Sequence, residues 1–203
     1  MPCGQTILCD SGVDRAGHDP DPDVVARAAE ELAAAGADVL GLPLALGSES
    51  SAEELVRATV ERFGGVDVLF NCAGVLRDGS FGKLGEEDFR APLEVDLMAT
   101  WSVTRAAVRR MVARGQGGRV INTVSVSGMQ GNLAQVNQAA AKAAIYGLTR
   151  TLAIELGRHK ITVNAIAPIA KTRQTEDLPM FEHVDSLTPE HVAPMVVSLA
   201  SPL

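Results

Sequence analysis

Aromatic residues are scarce in this chain of 203 residues: they make up 3% of it, with one Trp and one Tyr, so any core has to be built mostly from Ala, Val and Leu. At 46% apolar residues there is still enough for one domain, 1–203, with a sizeable core. Cysteines are few as well. Cys3, Cys9 and Cys72 make neither a disulfide framework nor a zinc spacing, and read as reduced thiols. No apolar run approaches the roughly 18 residues of a membrane span, and the start MPCGQT has no signal-peptide pattern, so a cytoplasmic protein is expected. A long basic run is also lacking. The formal charge of −7 argues against nucleic acid or an anionic membrane as the main partner, and Arg109, Arg110 and Arg114 read as a solvated helix face. No metal is expected, because His18 with Asp19, Asp21 and Asp23 is better explained by Asp21-Pro22 as N-cap and first helical residue.

What is present alternates strand and helix. Gln5 to Cys9 reads as a strand ending at Asp10, and Asp21 to Ala35 as a helix stopped by Gly36. Val39 to Leu46 is a second apolar strand. Ser51 and Glu54 form a capping box that opens a helix with Leu55, Val56, Val60 and Phe63 inward. Val66 to Phe70 is a third strand, and a long helical stretch from Glu86 towards Ala113 is interrupted near Pro92. Arg119 to Val124 is a β-branched strand. From Gln135 an alanine-rich 3.6-residue period reads as helix, Ile161 to Ala165 as strand, and Thr188-Pro189 as the start of a last helix. Continuous apolar strands between helices predict a parallel sheet covered on both faces.

The stretch Gly118 to Thr149 carries the chemistry. A strand running into Ser125 feeds a helix on which Gln138 and Lys142, four residues apart, share a face. This segment resembles the active site of the short-chain dehydrogenases/reductases, in which a Ser is followed by a Tyr and then, four residues on, a Lys; Gln138 stands at the Tyr position. Asn71-Cys72-Ala73-Gly74 resembles the family's Asn-Asn-Ala-Gly turn. Pro168 to Arg173, with Thr172, resembles the loop that touches the nicotinamide, and Gln174 to Asp185 the substrate-covering region. The runs GVLRDGSF, APIAKTRQTEDLP and LTPEHVAP are similar to the (R)-3-hydroxyacyl-CoA dehydrogenase and 3-oxoacyl reductase branch. The resemblance implies a truncated Rossmann-like doubly wound parallel sheet. It also implies oligomers paired through helices at about 91 to 113 and 136 to 157.

The departures from the pattern fall around the expected cofactor. A dinucleotide fold opens with a strand, a glycine-rich turn and a helix N-terminus that receives the pyrophosphate. Only four residues precede the first strand here, against roughly 30 for a βαβ unit, so that strand matches the family's second. The final strand is absent too, and bare flanking sheet edges are expected. Gly79 to Gly85 has no strand before it and reads as a loop. Asp10 stands at the family's ribose acid, while Leu44, Ala45 and Leu46 replace its adenine-contacting Asp. Asp96 stands where the family has Asn, although a single helical Asp is more often a surface or capping residue. Lys142 has the equally plain reading of an exposed helical lysine.

An amide cannot pass a proton near neutral pH, and losing a positioned general acid costs roughly 100- to 10,000-fold. The expectation is therefore a non-redox enzyme without a cofactor, its NAD(P) site vestigial (Asp10, Asn71, Ala73, Gly74, Thr172). It would use Ser125, Gln138, Lys142 and Asp96 for elimination, isomerisation or cyclisation of a carbonyl-bearing small molecule such as an acyl thioester or polyketide. One alternative is a catalytically inactive scaffold subunit. The other is a residual NAD(P)-dependent 3-hydroxyacyl/3-oxoacyl oxidoreductase, with Tyr146 in place of the missing phenol.

Overall fold

The computed structural model describes residues 5–9, 21–172, 175–176, 183 and 186–201, with 5–9 as backbone. Asp10, His18, Asp19 and most of Gln174 to Asp185 lie outside them. The elements are β1 (Gln5–Cys9), α1 (Pro22–Ala34), β2 (Asp38–Leu42), α2 (Glu49–Phe63), β3 (Val68–Asn71), α3 (Glu86–Pro92), a π-helical turn (Leu93–Met98), α4 (Ala99–Arg114), β4 (Gly118–Thr123), α5 (Val126–Gln130), α6 (Val136–Leu156), β5 (Ile161–Ile166) and α7 (Ala193–Ala200). Every strand pair is parallel, in the orders β1-β2 and β3-β4-β5. The doubly wound α/β expectation holds.

Local chemistry sets most boundaries. Asp21 caps α1 by accepting from the Asp23 N–H at 2.9 Å, with Pro22 at the first turn. The cap of α2 is Ser48, not Ser51: the Ser48 hydroxyl accepts from the Ser51 N–H at 3.2 Å, and the Ser51 hydroxyl donates back to the Ser48 carbonyl at 3.1 Å. β2 ends at Leu42, four residues short of the expected Leu46, because Pro43 has no N–H to continue the ladder. The expected interruption at Pro92 is a π-helical turn that follows it.

The main core lies on one face of the sheet, between β3, β4, β5 and the helices α2, α4 and α6. It contains Leu55, Val56, Val103, Ala107, Met111, Val120 and Val163, with Leu42 and Leu69 packed against it. The opposite face carries α1 over β2, so close that a Cβ on Gly41 would lie 3.0 Å from Val25. It also carries α7 over β4, where Arg119 Nε donates to the Ser201 carbonyl. On the outside of the core face, half-exposed Arg109 pairs with Glu53, and Arg114 with Asp67.

Of the two bare flanks expected, the one at the start needs correcting, while β5 does stand at an edge among the described residues. In a dinucleotide-type sheet the strand order is 3-2-1-4-5-6, so the first strand is central. The corresponding place lies between β1 and β3, and among the described residues no strand pairs there.

Candidate active site

Parallel sheets bind ligands at the carboxyl ends of their strands. At that end Asn71 closes β3, Ser125 follows β4 and caps α5, and Ala167 to Thr172 follows β5. Asn71 itself is committed to the framework. Its amide donates to Asn122 Oδ1 at 2.8 Å and Thr104 Oγ1 at 2.9 Å, and Asn122 donates to Thr149 on α6, tying β3, β4, α4 and α6 together.

Beneath this edge lies a buried charge pair. Lys142 Nζ stands 3.0 Å from Asp96 Oδ2 and donates to the Thr123 carbonyl at 3.1 Å; the two side chains are 6% and 0% exposed. Both plain readings, exposed lysine and surface or capping aspartate, are therefore wrong. The π-helical turn swings Asp96 inward, where its Oδ1 accepts from the Val75 N–H at 3.0 Å. A Cβ at residue 74 would lie 3.1 Å from Asp96 Oδ2, so a larger residue there would press on the buried carboxylate. Burial pushes the Asp96 carboxyl above the usual carboxylate range, opposed by the Lys142 ammonium, the Val75 N–H and the Gln138 amide.

Gln138 is buried beside this pair, donating to the Val75 carbonyl at 3.3 Å, while its Oε1 has no partner. Ser125 is half-buried; its hydroxyl accepts from the Ser127 N–H at 3.2 Å and sits 2.7 Å from the Ser127 hydroxyl. Asp96, Gln138 and Lys142 meet beside α6, and Ser125 lies two residues past Thr123, whose carbonyl Lys142 holds. Tyr146 is not among them. It is 40% exposed, with the Arg150 guanidinium 5.7 Å from its ring centre.

Asn137 had drawn no attention in the sequence, yet it is fully buried. Its amide donates to the carbonyls of Arg77 and Asp88 at 2.7 and 2.9 Å, and its Oδ1 caps the Gln138 N–H at 2.8 Å. Three amides, Gln135, Asn137 and Gln138, at the head of an otherwise apolar helix were the available signal. Gly128 presses α5 onto α6: a Cβ would lie 2.7 Å from the Ala143 nitrogen and 2.9 Å from Lys142 Cβ. Gly128→Ala is expected to cost about 1–3 kcal/mol of overpacking, outweighing the gain in helix propensity of at most about 1 kcal/mol. Urea unfolding would measure the net loss.

Residues 7–179 match the family model described as short chain dehydrogenase. The chain is 43% identical over 152 residues to peroxisomal multifunctional enzyme type 2 of Mus musculus, covering 75% of this chain and 20% of that protein. It is 36% identical over 149 residues to the 3-oxoacyl-[acyl-carrier-protein] reductase of Synechocystis sp., covering 73% and 60%. A solved short chain dehydrogenase from Mycobacterium avium superposes with a TM-score of 0.82 at 37% identity, over 96% of this chain and 68% of that one. The chain therefore spans less than two thirds of these two curated relatives.

These likenesses overturn two expectations. Relatives named reductases and dehydrogenases point to hydride chemistry, not to a lyase or isomerase, and to a nucleotide cofactor rather than none. A lost proton donor lowers a rate without changing the reaction class, so the missing phenol does not exclude hydride transfer. The described residues fit such a cofactor in part. The strand ends after β3, β4 and β5 open on one edge, but among the described residues no strand, glycine turn and helix N-terminus form a pyrophosphate cradle, and Gly79 to Gly85 lies in a loop.

Proposed function

We propose, from the premise that this chain belongs to the short chain dehydrogenase family, that it is a slow NAD(P)-dependent oxidoreductase interconverting 3-hydroxyacyl and 3-oxoacyl thioesters. The observation that supports this reading is the buried placement of Gln138 and Lys142 on α6 beside the Thr123 carbonyl, at the carboxyl end of the strand that Ser125 follows. A nicotinamide would supply or accept the hydride. The Asn71 to Gly74 turn would lie near the adenosine half of that cofactor and Thr172 near its nicotinamide, and the Ser125 hydroxyl would bind the substrate oxygen. The Gln138 Oε1, which lacks a partner, would accept the hydrogen bond of a 3-hydroxyl group. Lys142, fixed by Asp96 and Thr123, would present positive charge to this oxygen, and water would exchange the proton.

The same reading places the protein in the cytoplasm as a homo- or hetero-oligomer. Trp101 on α4 and Ile154 on α6, exposed at 43% and 83%, offer apolar surface for helix pairing. No described helix is long and apolar enough to cross a membrane.

Oxidation of a 3-hydroxyacyl-CoA with NAD or NADP, followed by nicotinamide absorbance, tests the proposal. The expected rate is about 100- to 10,000-fold below that of a Tyr-bearing relative assayed alongside. Ser125→Ala should lower it further. Turnover no faster than buffer would reject the assignment and leave the inactive scaffold, and turnover unaffected by Ser125→Ala would reject this site as its seat.

A further inference from the structure

We infer that Ser127 is a positioning residue that makes the Ser125 hydroxyl a donor only, aimed at the substrate oxygen; that oxygen rests on the proposed function, the direction of the bond on geometry alone. Ser125 caps α5 and Ser127 is the second residue of that helix, which brings their hydroxyl oxygens to 2.7 Å. Burial sets which of them donates. Ser127 is 4% exposed, and among the described residues its hydroxyl hydrogen-bonds only to that of Ser125. With Ser125 as donor, the Ser127 proton would be buried without an acceptor and would lose its hydration uncompensated. With Ser127 as donor no proton is stranded, because Ser125 is half-buried and its own proton can reach a ligand or solvent. The bond therefore runs from Ser127 to Ser125.

A serine oxygen has two lone pairs and one proton. On Ser125 one lone pair accepts from the Ser127 N–H at 3.2 Å and the other from the Ser127 hydroxyl, so both are filled. Only the proton is left for a ligand. Ser125 can then donate but not accept, which suits the lone pairs of a 3-oxo group, and a donor that is itself hydrogen-bonded is polarised into a stronger one. Gln138 cannot take this part, because its amide nitrogen is turned to the Val75 carbonyl and the Asp96 carboxyl. The turn that carries both serines is held against α6 at Gly128, where a Cβ would lie 2.7 Å from the Ala143 nitrogen.

Binding without turnover tests this role. 3-Oxobutyryl-pantetheine and butyryl-pantetheine differ by the C3 oxygen, and in the presence of NADP neither has a 3-hydroxyl to oxidise. Both are titrated by calorimetry into the protein and its variants. The wild type is expected to prefer the 3-oxo thioester. Ser127→Ala should cut that preference about two- to tenfold, the net effect of one hydrogen bond, and leave butyryl affinity unchanged. In the Ser125→Ala background the same substitution should make no further difference.

A preference untouched by Ser127→Ala, an equal loss for both thioesters, or a loss that persists without the Ser125 hydroxyl would overturn the role. So would a wild type with no preference, which would also take the substrate oxygen away from Ser125. Turnover is read separately. A preference that Ser127→Ala lowers, in a protein that oxidises no 3-hydroxyacyl-CoA, keeps Ser127 in its role and removes the proposed function.

Discussion

Asp96→Asn is expected to destabilise the fold by about 3–5 kcal/mol, one of the largest losses of any single polar substitution in this chain, because it leaves the Lys142 ammonium buried without its counter-charge. The amide keeps the shape and an acceptor for the Val75 N–H, so the loss reports the charge and not a cavity. Lys142→Met acts differently. The abandoned Asp96 carboxyl can take up a proton, and burial already holds its pKa above the ordinary value. A carboxyl whose native pKa is raised binds its proton more tightly in the folded state than in the unfolded one. Its favourable contribution is complete below the ordinary aspartate value of about 4 and is lost as pH rises through the higher native value.

Lys142→Met should therefore be mild at acid pH and grow more damaging as pH rises through that window, while Asp96→Asn loses this pH dependence. The double variant Asp96→Asn/Lys142→Met removes both charges and should recover most of the stability lost by Asp96→Asn, since a buried pair contributes little beyond a neutral replacement. Urea titrations of the four proteins at several pH values measure the cycle. If the double variant loses the sum of the two single losses at every pH, the pair is not coupled.

The sequence and the structure agree wherever local rules govern. α1 is capped by Asp21 and Pro22 as its residues dictate, and β4 and β5 come within a residue or so of their apolar runs because a buried strand has no other pattern. The disagreements are tertiary. That Lys142 and Gln138 share a face was legible from their spacing. That Asp96 reaches them was legible only through the family resemblance, because a π-helical turn shifts the facing of one residue by an amount no 3.6-residue pattern encodes.

Asn137 was missed for a related reason. Its partners, the carbonyls of Arg77 and Asp88, sit in a loop and a helix about 50 to 60 residues away, and no local signal marks an amide as their donor. Position along the chain does not give position in the sheet. The opening strand of a doubly wound sheet lies at its centre, so its place is between β1 and β3 and not at an edge.

Gln138→Tyr is expected to raise the oxidoreductase rate by about 100- to 10,000-fold, the factor a positioned general acid contributes. Position 138 already has the other requirements: it is buried beside Val75 and Asp96, one helical turn from Lys142, on a helix whose first turn is pinned by Asn137. Gln138→Phe matches the added bulk without the hydroxyl and should give no gain, which separates proton transfer from repacking. The native Tyr146 cannot mask the result, because it lies exposed against Arg150 and Tyr146→Phe should leave the rate unchanged. The acidic neighbour sets the pH at which the new phenol works. Asp96 faces Lys142 at 3.0 Å and offsets the ammonium that would otherwise favour a phenolate. The oxidation rate of Gln138→Tyr should therefore rise at a pH closer to the ordinary phenol value of about 10 than in a relative with Asn at position 96. Equal rates for Gln138→Tyr and Gln138→Phe across the pH range would mean that the substrate oxygen does not lie beside residue 138, and would move the reacting centre elsewhere on the sheet edge.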